Sequence, residues 1–232
     1  MTLTKPVREH AGVETTQLES STPAAATAAG VARFGFWAAV STGALTVVTF
    51  GLALTALPNK VPYPFTSEVI AAQWPGDYLW MYTAILLMLS FTALVAAVHQ
   101  NAGPEQRIYS VLALCAGVAS STVLLIDYFI QVTVMQPSLE KDQVDGWAML
   151  TQYNPNGVFI ALEELGYLLM SLTLLCLAPV FTKRTRTERS LRRLFVATFA
   201  GTVTALAIVS ALRGIDRGDV FEIMAICIVW LS

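Results

Sequence analysis

Three carboxylates stand where this chain has no cheap use for them. The stretch LLIDYFIQ carries Asp127, and ALEELGYLLMSL carries Glu163 and Glu164, each inside a run that otherwise reads as lipid-soluble helix. A charged side chain deep in a bilayer costs roughly 2.5–3.5 kcal/mol on insertion scales. Apolar surroundings favour the neutral form of a carboxyl, and that is the form a general acid needs. The chemistry to expect is proton donation and return inside a membrane. Helical spacing supplies companions. Gln131 lies four residues beyond Asp127, with Tyr128 beside it, and Tyr167 lies four beyond Glu163. Neighbouring helical residues point about 100° apart, so Glu163 and Glu164 do not both line one small site. The other pairs across a helix interface or with Arg213, and Glu222 is near enough in the last apolar segment to join the set.

Asp127, Glu163 and Glu164 are therefore the candidate catalytic residues. Tyr128, Gln131, Tyr153, Asn156 and Tyr167 are the candidate substrate-binding residues. A plainer use is also open. Neutral carboxyls bonded to Gln131, Tyr128 or Tyr167 act as interhelical glue, at about 1 kcal/mol per contact. Asn154 and Asn156 suit helix capping as well as ligand binding.

The elements that position these groups follow from composition. Apolar residues make up 55% of the chain and charged residues 13%, with a mean hydropathy of +0.61. Soluble domains carry about a quarter charged residues, so this is an integral membrane protein, its apolar residues blocked into spans. With a net charge of -2 and no basic patch outside one loop, no nucleic acid is expected as a partner; the bilayer is the expected one, with an apolar small molecule. Cys115, Cys176 and Cys227 lie inside spans and His10 and His99 far apart, so neither a metal site nor a cofactor is expected.

The fold expected is an all-α polytopic transmembrane helix bundle. Residues 1–30, rich in Thr, Ser and Ala without periodicity, form a disordered cytoplasmic tail before a transmembrane helical domain over 31–232. Five full spans are expected over 34–57, 78–98, 108–135, 154–181 and 194–212. Asp77 is placed as an N-cap, Pro137 as the stop of the third span, and Asn154-Pro155 as the start of the fourth. A sixth segment, 220–232, rises only about 20 Å as helix. It is a half-span, or the chain is truncated at Ser232. Ala113, Gly117 and Ser121, at spacing four, read as a helix-packing face.

The loop TKRTRTERSLRR holds Lys183, Arg184, Arg186, Arg189, Arg192 and Arg193. Placing it in the cytoplasm also puts Lys5, Arg8, Arg33 and Arg107 there, ten of the 14 basic residues, with the N-terminus inside. An orientation signal accounts for the loop, with lipid-headgroup recognition as the alternative. In that orientation Asp127, Glu163 and Glu164 all lie about 12–15 Å from the outer face of a cell membrane.

The stretches IDYFIQVTVMQPSL and LTQYNPNGVFIALEELGYLLMSL resemble a family of uncharacterised small bacterial polytopic membrane proteins, over about residues 75–182. The pairing of DYFIQ with NPNG and LEELGY more distantly resembles membrane-bound terpene cyclases of the ascochlorin type in meroterpenoid pathways. That resemblance implies a metal-independent cyclase or isomerase acting on an apolar isoprenoid-like substrate, started by protonation of an olefin or epoxide. It assigns no individual residue. The alternatives are a proton-coupled carrier or small-ligand sensor using the same carboxylates, and a non-catalytic membrane interaction protein.

Overall fold

In lipid a backbone must satisfy its own hydrogen bonds, and the helix is the open-ended way to do so. The computed structural model describes residues 22–56, 61, 66–182, 184–214 and 220–232. The helices are α1 (Thr22–Ala56), α2 (Ser67–Ala71), α3 (Leu79–Gln100), α4 (Arg107–Ile130), α5 (Gln136–Glu140), α6 (Trp147–Leu150), α7 (Val158–Leu177), α8 (Arg186–Arg213) and α9 (Val220–Trp230). Among the described residues there is no strand. Five stretches, Ala29–Ala56, Gly76–Gln100, Pro104–Glu140, Val158–Val180 and Arg186–Arg213, are long and apolar enough to cross a membrane. The chain is an all-α polytopic bundle, with α9 as a sixth, short apolar helix.

Helix α1 packs on α3, α3 on α4, and α4 on α7; α7 then meets α8 and α9, which also pack on each other. The small-residue face of α4 sits where expected. A Cβ at Gly117 would stand 3.3 Å from Thr173 of α7 and 3.5 Å from Val95 of α3, so α4 is held tightly on both sides. Ser121 accepts from Thr92 at 2.9 Å and donates to the Met88 carbonyl at 3.3 Å. The closest approach is at Gly166 of α7. A Cβ there would overlap the buried side chain of Leu124, while Ser120 donates to the Gly166 carbonyl at 2.7 Å.

Several boundaries differ from those read in the sequence. Residues 22–30, expected in the disordered tail, already belong to α1. Their alanines are the strongest helix formers and Pro23 lies in the first turn, where its missing N–H costs nothing. Residues 1–21 lie outside the described residues. Pro137 does not end the third span. A π-helical turn over Gln131–Met135 intervenes, and Pro137 opens α5 from its first turn, where no donor is required. Asp77 caps nothing: it lies in a 3-10 turn, Gly76–Tyr78, and α3 begins after Tyr78.

The fourth span also starts later, at Val158, because Asn154-Pro155-Asn156-Gly157 closes a β-turn instead of opening a helix. Gly157 N donates to the Asn154 carbonyl at 2.9 Å, and the Asn154 side chain accepts from Asn156 N at 3.0 Å. Asparagine first and proline second are the residues such a turn prefers. Helix α8, the fifth span, begins at Arg186, upstream of its apolar run, because Thr185 accepts from Glu188 N at 3.1 Å and Glu188, three residues on, completes the capping pattern.

Replacing Gly166 with alanine is expected to push α4 from α7 and destabilise the bundle by about 1–3 kcal/mol. Thermal unfolding of the detergent-purified protein measures this, and a midpoint equal to wild type would refute the close packing described.

Candidate acid-lined cavity

Residue types alone place acids in the bundle; packing decides which of them share a space. A half-enclosed cavity of about 140 Å³ lies between the C-terminal end of α1, the start of α3, the first turns of α7, and α9. Most of its wall is apolar, with aromatic rings from Phe50, Trp80, Phe159 and Trp230. Two carboxylates reach it, Glu163 and Asp77, together with Gln152 and Tyr153.

Glu163 is 1% exposed and occupies the α7 face that meets α4. Tyr128 donates to Glu163 Oε1 at 2.8 Å, and the Tyr128 and Tyr167 hydroxyls are 2.9 Å apart. A phenol has one proton to give, so with Tyr128 donating to the carboxyl, Tyr167 is the donor to Tyr128. Three groups therefore form a directed chain, Tyr167 to Tyr128 to Glu163, spanning the α4–α7 interface. Trp80 packs edge-on against Tyr128 with ring centres 5.2 Å apart, and Trp230 packs edge-on against Tyr167 at 6.0 Å. The rings fix the phenols, and the phenols fix the carboxyl.

Asp77 is held from the other side. Tyr153 donates to Asp77 Oδ2 at 3.1 Å, and Tyr78 packs edge-on to Tyr153 at 6.3 Å. Burial, reinforced by the neighbouring Tyr78 and Asp77, holds the Tyr153 phenol far above its usual titration range, so it remains a donor. Tyr153 itself is carried on a loop anchored by Gln131. The Gln131 side chain donates to the Leu150 carbonyl at 2.6 Å and accepts from Gln152 N at 3.1 Å. Asn154 donates to the Ala148 carbonyl at 2.8 Å, and Trp147 donates to the Met135 carbonyl at 3.1 Å.

The candidate residues from sequence thus divide. Glu163 and Tyr153 line the cavity; Tyr128 bonds Glu163, and Tyr167 bonds Tyr128. Asp127 is buried at 2% exposure but does not line the cavity, because it lies one residue, and so about 100°, from Tyr128 on α4. Glu164 is half-buried and is turned from the cavity by the same step from Glu163. Gln131 belongs to the loop anchor instead of the cavity wall, and Asn156 is exposed on its turn. Arg213 is exposed, and the side chain of Glu222 lies outside the described residues.

Level, by contrast, agrees: Tyr128 beside Asp127 bonds Glu163, so the two acids stand at one height in the bundle. With α7 starting at Val158, Glu163 lies only about 8 Å along it. Asp77 was the site residue not found in the sequence, since an acid just before a span reads as a cap. The signal present was its position at the same end of the bundle as Tyr153. Among the described residues no three His, Cys, Asp or Glu side chains converge. Compared with known proteins, the chain matches no family model, no curated protein and no solved structure.

Two outcomes test this geometry. Tyr128→Phe removes the donor to Glu163 and the acceptor of the Tyr167 hydroxyl, and is expected to destabilise by about 1–3 kcal/mol in detergent unfolding; no change would refute the directed chain. The second concerns pH. A phenol whose pKa is raised on folding contributes stability below its unfolded value of about 10 and loses it as pH rises beyond. The unfolding midpoint should therefore fall above pH ~10 more steeply in wild type than in Tyr153→Phe. Parallel curves for the two proteins would show that Tyr153 is not protected.

Proposed function

We propose that this protein is a membrane-embedded acid–base site for an apolar, isoprenoid-like molecule, a cyclase or isomerase in reaction type. The observation that carries the reading is the aromatic-walled cavity with two carboxyls, Glu163 and Asp77, each bonded by its own tyrosine. A dry cavity of about 150 Å³ accommodates benzene. One of about 140 Å³ therefore takes an end unit of an isoprenoid, the remaining chain lying toward lipid through the open side.

In the proposed reaction the Glu163 carboxyl gives its proton to an olefin, whose π pair becomes the new C–H bond, or to an epoxide oxygen, whose ring C–O bond then breaks to leave a hydroxyl; either route leaves a carbocation. The faces of Phe50, Trp80, Phe159 and Trp230 steady that cation. The Asp77 carboxylate takes a proton from a neighbouring carbon, restoring a double bond, and the proton returns to Glu163 between turnovers. No electrons are gained or lost. Tyr128 and Tyr153 hold the two carboxyls and answer the change of charge on each. Asp127 has a packing role in this scheme. With the arginine-rich loop in the cytoplasm, the N-terminus is cytoplasmic and the cavity opens into the outer half of a cell membrane.

A second reading draws on the same wall. Aromatic faces with two carboxylates also suit a small organic cation, which a sensor or carrier would bind without changing it.

Turnover of short prenyl olefins and epoxides by the protein in membranes, with products resolved by mass spectrometry, separates these readings. Glu163→Gln and Asp77→Asn are each expected to lower turnover by about 100-fold or more, and Asp127→Asn to leave it near wild type. Wild-type turnover in correctly inserted Glu163→Gln and Asp77→Asn sinks the acid–base reading. Saturable binding of a quaternary ammonium ion, lost in both variants and accompanied by no turnover in any protein, favours the sensor or carrier.

A further inference from the structure

The arginines at the start of α8 do more than mark a side of the membrane. Helix α8 has 28 residues, about 42 Å, against a hydrocarbon core of about 30 Å. Its apolar run begins at Leu194, so the two turns over 186–193 stand in the headgroup layer. Helical spacing of three and four gathers Arg189, Arg192 and Arg193 above Val196 and Ala197, and these five residues line one shallow groove. Arg189 and Arg193 are exposed, Arg192 is half-buried, and Val196 and Ala197 are exposed below them. Charge sits at headgroup height and small apolar side chains at acyl height.

The acid that would neutralise this face is engaged elsewhere. Glu188 is the single Asp or Glu among six basic residues in TKRTRTERSLRR. Its Oε2 accepts from Thr182 at 2.8 Å and from Arg184 N at 2.9 Å, turning the carboxylate back onto the preceding loop. Those bonds leave the groove positive. An orientation signal requires only the count of basic residues near a span. It does not require them on one face over apolar side chains, with the local acid drawn aside.

We propose that this groove binds the headgroup of an anionic phospholipid. The guanidinium groups take the phosphate through N–H···O bonds, Arg189 by its terminal nitrogens because its Nε donates to the Thr185 carbonyl at 3.4 Å, and Val196 and Ala197 take the first methylenes of an acyl chain. The site is independent of the acid-lined cavity, and its test reads lipid, not turnover.

The experiment is native mass spectrometry of the full chain reconstituted in equimolar phosphatidylglycerol and phosphatidylcholine. Wild type is expected to retain phosphatidylglycerol in preference to phosphatidylcholine. Arg189→Gln, Arg192→Gln and Arg193→Gln, each leaving five of the six basic residues in place to orient the helix, should each lower that retention about fivefold. Arg184→Gln, outside the groove, should lower it less than twofold. Equal retention of the two lipids by wild type overturns the proposal. So does an Arg184→Gln loss as large as that of the groove variants, since diffuse charge would then suffice.

Discussion

The approach of α4 to α7 at Gly166 is the constraint on which the candidate site depends. Leu124 fills the space that any side chain at Gly166 would occupy, and Ser120 bonds the carbonyl exposed there. One helical turn beyond Leu124, Tyr128 is brought within reach of Glu163, about a turn before Gly166, and of Tyr167 next to it. A wider separation would break both hydrogen bonds, because phenol and carboxyl must come within about 3 Å to bond. Loss of those bonds in low-polarity surroundings is costly. Packing and polar satisfaction are thus one condition here.

The second carboxyl is positioned by a different device. A π-helical turn follows α4, and its Gln131 grips the loop 150–152 by two backbone bonds. The loop in turn brings Tyr153 over Asp77, which the 3-10 turn before α3 holds at the rim of the cavity. A π turn is longer by one residue than an α turn, and such insertions recur at functional sites. The short α9 then closes the space laterally. Its Trp230 sits edge-on to both Tyr167 of α7 and Phe50 of α1, so α9 completes the wall.

Much of this was legible from residue patterns, and the reasons are local. Apolar run length marks spans because a helix satisfies its own backbone in lipid, which is why five span-length helices emerge among the described residues. The four-residue step from Glu163 to Tyr167, and the proximity of Tyr128, follow from helix period once two spans are neighbours. Boundaries were less legible. Asn154-Pro155 fits both a turn and a helix start, and Pro137 both a helix stop and a helix start; the bonds at Ala148 and Asn156 select the turn for the first, and the π turn continuing into α5 the start for the second.

The sequence by itself determined that this chain is a helical membrane bundle, that acids lie buried in it, and that Glu163 and Glu164 face different ways. Run length, hydropathy and a 3.6-residue period suffice for each. The tertiary structure alone decided that Asp77, not Asp127, shares a cavity with Glu163. The two residues are 86 positions apart in the chain. Depth along a helix is set by counting residues, but direction around the axis relative to distant partners is set by packing. A rotation of one residue, about 100°, is enough to turn a carboxyl from a cavity into an interface.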